Sequence, residues 1–132
     1  MKKHYSVKLK DAAGLAKKIV KELQGGEILA LIGPLGSGKT TFTKALAKQL
    51  GIKHGITSPT FILMNEFDGL IGEKPIHVHH LDLYRTESEQ EVLALGLQDF
   101  WGHPNSLTVI EWADKITGLL PSKTITIHFS HE

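Results

Sequence analysis

The chain has no cysteine, and its 132 residues hold no apolar run approaching a membrane span. Without cysteine there can be no disulfide and no thiolate metal site, which suits a reducing compartment such as the cytosol. A bilayer span needs roughly 20 consecutive apolar residues, so no transmembrane helix is expected. The basic start, Met1-Lys2-Lys3-His4-Tyr5, leads into no apolar signal core. Charge of one sign is also scarce: 15 basic against 14 acidic residues leave a net +1. That balance gives no global electrostatic case for binding nucleic acid. Lys2, Lys3, Lys8 and Lys10 do cluster near the start, but lysines on an edge strand are commonly a solvated device against aggregation.

What is present is ordinary in amount and specific in order. With 41% hydrophobic and 22% charged residues the composition is that of a globular protein, and the length suits one domain covering residues 1–132. Gly33-Pro34-Leu35-Gly36-Ser37-Gly38-Lys39-Thr40 has the spacing G-x-x-x-x-G-K-[ST] of a phosphate-binding P-loop. Its flanks agree. Ile28-Leu29-Ala30-Leu31-Ile32 has the length of a buried strand, and Thr41–Leu50 reads as a helix. Glycines let the backbone curl until successive N–H groups point at an anion, and the helix N-terminus adds partial positive charge. Lys39 would bring a full charge to the β- and γ-phosphates, and the Thr40 hydroxyl a ligand for Mg²⁺. A nucleoside triphosphate is the expected ligand. No Asn-Lys-x-Asp stretch for reading guanine is present, which leans to adenine, although the residues by themselves do not settle ATP against GTP.

One further scarcity then matters. Of the 15 basic residues only Arg85 is an arginine, whereas phosphoryl-transfer enzymes usually surround the moving group with several cations, often arginines. This chain is poorly equipped to do that alone.

Along the chain, Tyr5–Leu9 alternates as a half-buried strand. Asp11 is the expected N-cap of a helix from Ala12 to Leu23, with Leu15, Ile19, Val20 and Leu23 on one face. Glu27–Ile32 and the P-loop helix follow, the latter with Phe42, Leu46 and Leu50 toward the core. Phe61–Phe67 and Ile76–Leu83 read as an antiparallel hairpin joined by a long tip, Asp68–Pro75. Glu87–Leu95 is a short helix, Leu107–Ile110 a buried strand, and Thr124–Phe129 a last strand after a helical segment ending near Pro121. The pattern implies an α/β fold, a P-loop NTPase-like mixed β-sheet flanked by helices, with ligands at the carboxyl ends of the parallel strands.

Three polar stretches should meet there. Glu111 ends an apolar strand, where a carboxylate can hold Mg²⁺ through water or polarise an attacking water. Asp82 shares a strand face with His80 and Tyr84; it can ligate the same cation, or simply pair with Arg85. Trp112 is core filler or a ring beside the nucleotide. Thr57-Ser58-Pro59-Thr60 follows the P-loop helix at the place where related switches sense the γ-phosphate, and a plain hydroxyl-rich turn is the alternative. His77 and His79 share the other face of their strand; strand i, i+2 histidines can bind zinc, yet no third ligand stands at a typical spacing, and a polar strand near the hairpin is preferred.

Four stretches together carry a resemblance: Gly33 to Phe42, Thr57-Ser58-Pro59-Thr60-Phe61, His80-Leu81-Asp82-Leu83-Tyr84-Arg85, and Val109-Ile110-Glu111-Trp112-Ala113-Asp114. In order and spacing they resemble the TsaE family, also called YjeE, over about Tyr5 to Phe129. The resemblance implies a slow ATPase acting with TsaB and TsaD in the threonylcarbamoyl modification of adenosine 37 of tRNA, in the cytoplasm and away from membranes. It implies ATP and Mg²⁺ as cofactors. Nucleotide contacts would come from Gly36, Ser37, Gly38, Lys39, Thr40, Thr41, Thr57, Thr60 and Trp112. Thr40, Asp82 and Glu111 would be metal ligands, and Lys39, Asp82 and Glu111 the catalytic groups. Two departures stand out: Pro34 occupies a position where the family commonly has an acid, and members commonly run past the equivalent of Glu132 into a further basic segment. Outside that resemblance, the residues alone also allow a small-molecule P-loop kinase, although no arginine-bearing lid is visible, or a nucleotide-sensing module without useful catalysis.

Overall fold

The computed structural model describes residues 3–34, 36–52, 64–84, 88–96, 99 and 101–130. Strand β1 (Lys3–Lys8) leads through a 3-10 turn at Leu9–Asp11 into helix α1 (Ala12–Val20). Strand β2 (Ile28–Ile32) precedes the P-loop and helix α2 (Lys39–Gln49). Strands β3 (Met64–Ile71) and β4 (Lys74–Asp82) form the hairpin, followed by helix α3 (Glu89–Ala94). Strand β5 (Ser106–Glu111), a 3-10 segment (Ala113–Leu119) and strand β6 (Ile125–Ser130) complete the order.

The six strands make one sheet in the order β1-β6-β2-β5-β4-β3, parallel throughout except for the β3–β4 pair. Helices cover both faces, which is why β2 is an unbroken apolar run rather than an alternating one. Alternation still sorts its side chains: Leu29 and Leu31 join α1 and α2 in one core, while Ile28 and Ala30 join Val92 of α3 and Ile116 in the other. Phe42 of α2 meets Phe129 of β6 edge to face, with centroids 5.6 Å apart. Such a pair contributes about 0.5–1.5 kcal/mol beyond its buried area and fixes the P-loop helix over the sheet. Among the described residues no helix is long and apolar enough to cross a membrane.

Several local expectations change. Helix α1 ends at Val20, and Leu23 reaches the core from the turn beyond it. Ala12 and Ala16 are as buried as Ile19; small residues let α1 lie close, a signal that a search for large apolar side chains passes over. Asp11 stands at the N-cap but its side chain makes no capping bond. The hairpin has no long tip: Leu70 pairs with Pro75 and Ile71 with Lys74, so only Gly72 and Glu73 turn the chain, with Gly72 at φ 61°. Pro75 is tolerated because it lies near the start of β4, beyond the reach of β5, whose pairing begins at His77 and Ser106.

Candidate functional site

The carboxyl ends of three adjacent strands lie in register. Leu31 of β2 sits beside Glu111 of β5, and Glu111 beside Asp82 of β4. The chain leaving β2 must therefore turn at once, over the place where two carboxylates end their strands. Gly33 makes that possible by close approach: a Cβ there would stand 2.8 Å from Phe129 Cβ and from Ser37 Oγ. The loop then closes on Pro34, whose carbonyl accepts from Ser37 Oγ at 2.6 Å and from Ser37 N at 3.3 Å. Pro34 thus contributes its oxygen to the turn. Gly38 opens α2 at φ 113°, where its α-carbon faces Leu9 and Ala12, so the loop is propped against the start of α1.

A cavity of about 310 Å³ lies at this end, lined by Gly36, Gly38, Lys39, Thr40, Thr41, Asp82, Glu111 and Trp112, with Leu9 and Tyr84 at its margin. Lys39 is buried and its Nζ has no hydrogen-bond partner among the described residues. Burial lowers its pKa from the ordinary lysine value, and Glu111, Asp82 and Asp114 pull the other way. Nζ instead lies 3.5 Å from the centroid of the Trp112 ring. A cation on an indole face is worth roughly 0.5–2 kcal/mol, less than full hydration or pairing with an anion. Trp112 is the one non-glycine residue with positive φ among the described residues, at φ 61° and ψ 37°. That conformation costs on the order of 1–3 kcal/mol and is what swings the indole from the end of β5 across the lysine. Tyr84 packs on the same ring, with centroids 5.1 Å apart.

The two carboxylates are held differently. Asp82 is half-buried, and its Oδ1 accepts from the Tyr84 N–H at 3.0 Å. Glu111 is buried, and its Oε2 lies 2.7 Å from His80 Nε2, with the imidazole side chain only 1% exposed. An ionised carboxylate can only accept, so His80 carries a proton on Nε2. With Oε2 so occupied, Oε1 is the oxygen that Glu111 can present to the cavity. Sequence alternation puts His80 on the face of Asp82; the bond to Glu111 escaped it, because that needs β4 and β5 to be parallel neighbours with His80 opposite Val109.

Of the expected site residues, Gly36, Gly38, Lys39, Thr40, Thr41, Asp82, Glu111 and Trp112 come together around the cavity. Ser37 is buried behind the loop, its hydroxyl spent on Pro34. Thr57 and Thr60 lie outside the described residues, as does Arg85, the alternative partner of Asp82. His77 and His79 stand on the opposite face of β4.

Comparison with known proteins identifies the family. The sequence pattern of the family described as "Threonylcarbamoyl adenosine biosynthesis protein TsaE" matches residues 6–132. The chain is similar to the tRNA threonylcarbamoyladenosine biosynthesis protein TsaE of Bacillus subtilis (strain 168), 37% identical over 123 residues that cover 92% of this chain and 73% of that one. It is also similar to the protein of that name in Treponema pallidum (strain Nichols), 35% identical over 117 residues covering 89% and 82%. Among solved structures it resembles Bacillus subtilis YdiB, with a TM-score of 0.64, 31% identity, and coverage of 92% of this chain and 72% of that chain. With its P-loop, its strand-end acids and a family pattern running from Ser6 to Glu132, the chain belongs to the TsaE family.

Proposed function

We propose that the chain binds Mg-ATP in the P-loop cavity and hydrolyses it slowly, acting with TsaB and TsaD to support formation of the threonylcarbamoyl group on adenosine 37 of tRNA in the cytoplasm. The observation that carries this reading is Lys39: a buried ammonium without a hydrogen-bond partner among the described residues, in one cavity with two carboxylates and the first turn of a helix. A group so placed is poorly satisfied by the protein alone and well matched to phosphate oxygens. The donor set around it fits Mg²⁺, since a hydroxyl and carboxylates are the oxygen ligands that ion prefers.

In this reading Lys39 leaves the face of Trp112 and pairs with the β- and γ-phosphates. Backbone N–H groups from Gly36 to Thr41 cradle the phosphates. Thr40 and Asp82 would hold Mg²⁺, with Glu111 reaching it through water; when bound, that ion neutralises charge on the phosphate oxygens. Glu111 orients the attacking water and takes up its proton, and His80 fixes which carboxylate oxygen does so. Thr57 and Thr60 complete the reading as γ-phosphate sensors, and the Trp112 ring borders the nucleotide. The scarcity of cations explains why turnover would be slow in isolation: with one arginine in the chain, the remaining positive charge is expected from a partner.

The test is ATP hydrolysis by the isolated chain and by the chain mixed with TsaB and TsaD. Slow turnover alone and stimulation by the pair are expected. Fast turnover indifferent to both partners would sink the proposal, and phosphorylation of a small metabolite by the pure protein would favour a kinase.

A further inference from the structure

The face of the hairpin turned away from the P-loop carries a second convergence of polar groups. Strands β3 and β4 pair with Glu66 opposite His79 and Asp68 opposite His77. Residues two apart on a strand share a face, so these four side chains stand together. His77 Nε2 lies 3.7 Å and His79 Nε2 lies 3.8 Å from the same atom, Glu66 Oε1. One ligand atom from each of the three falls within 4.8 Å of the other two. Behind them, His77 Nδ1 is 3.0 Å from Asp68 Oδ1. An ionised carboxylate accepts the Nδ1 proton, which leaves the lone pair on Nε2, the nitrogen nearer Glu66.

We propose that Glu66, His77 and His79 form a Zn²⁺ site, with Asp68 orienting His77 from behind. Zinc takes imidazole nitrogen and carboxylate oxygen at about 2.0–2.2 Å, so ligands on a tetrahedral ion stand roughly 3.3–3.5 Å apart. The two separations from Glu66, 3.7 and 3.8 Å, are slightly wider, within reach of a rotation of the exposed Glu66 side chain, and the histidine ligand atoms stand within 4.8 Å of each other. Two imidazoles and one carboxylate leave a fourth position for water, and an imidazole-rich set selects zinc over the oxygen-seeking Mg²⁺ and Ca²⁺. Asp68 supplies what an ordinary row of surface ion pairs does not require, a carboxylate on the far nitrogen of a ligating histidine. An ion here would clamp the edge strand β3 to β4. The site is independent of the nucleotide reading, since it uses none of the residues that line the P-loop cavity.

The experiment is titration of the full chain, freed of metal by a chelator, with Zn²⁺ and separately with Co²⁺ as an optical probe. Saturable uptake of one ion is expected, with Co²⁺ giving visible absorption of tetrahedral intensity. Asp68→Asn should weaken binding about 10–100-fold, and Glu66→Gln or His79→Asn at least as much. Lys39→Ala should bind zinc as the parent does. No saturable uptake, or unchanged affinity in both Glu66→Gln and Asp68→Asn, overturns the proposal; loss of uptake in Asp82→Asn alone would put the ion in the P-loop cavity instead. If His79→Asn does not fold, Glu66→Gln and Asp68→Asn decide the matter, because both residues are exposed.

Discussion

Strand β4 sends His80 and Asp82 to one face of the sheet and His77 and His79 to the other, and the two faces are built on different principles. The P-loop face gathers residues 33, 34, 36–41, 82 and 111, brought together only because β2, β5 and β4 are parallel neighbours whose carboxyl ends coincide. The far face gathers residues 66–79, all within one hairpin, where antiparallel register alone sets the geometry. Chemistry follows the construction. Parallel strand ends converge on a helix N-terminus and offer N–H groups, a lysine and oxygens, the set that suits a triphosphate. A hairpin offers cross-strand side chains at ligand spacing, the set that suits one ion. If this contrast holds, damage to one face should leave the other intact.

The largest effect is expected for Glu111→Gln. It preserves shape and a hydrogen-bonding oxygen but removes the proton acceptor, so hydrolysis should fall about 10²–10⁴-fold with ATP affinity little changed. Single-turnover hydrolysis beside equilibrium ATP binding checks this; hydrolysis at the parent rate would remove Glu111 from the chemistry. Lys39→Ala comes next. Losing a charge-assisted contact with phosphate should weaken ATP binding about 100-fold, near 3 kcal/mol. Affinity unchanged by this substitution would mean that the loop is not the phosphate site.

The same contrast explains what could be read before the fold was known. The P-loop is legible because it is a contiguous spacing, Glu111 because an apolar run ending in an acid marks a strand end, and Asp82 because alternation along its strand sets it on one face with His80 and Tyr84. His80 was placed on the correct face, yet its bond to Glu111 depends on strand order, which no local pattern encodes. The third member of the histidine group was hidden by a boundary error. Glu66 falls within the strand expected over Phe61–Phe67, but Asp68–Pro75 is expected to be the connection between the strands. Pairing of Asp68–Ile71 with Lys74–His77 extends the hairpin and lines Glu66 up with His79. The αL turn of Trp112 was equally out of reach, since a bulky residue there is held by packing on Lys39 and Tyr84 rather than by propensity.

His80 tests the divide most sharply, because it adjoins His79 in sequence and serves the opposite face. His80→Leu should lower hydrolysis about 10–100-fold by releasing Glu111, and His80→Gln, which keeps a donor near the Nε2 position, should recover part of that loss. Zinc uptake should be unaffected in both. Equal rates in the leucine and glutamine variants would mean that His80 only fills space.

The smallest effect expected is optical. In the ligand-free chain the Lys39 ammonium lies on the Trp112 ring, a contact worth roughly 0.5–2 kcal/mol and therefore easily surrendered to phosphate. ATP should draw the ammonium away and change the indole fluorescence by a modest fraction, whereas Zn²⁺ on the far face should not. Trp101 is the other indole and, like Trp112, packs against the core cluster of the far face, so the control is the same pair of titrations in Trp112→Phe. A nucleotide response that survives in that variant would come from Trp101, and would mean that binding in the P-loop cavity also reaches the core cluster on which both indoles pack.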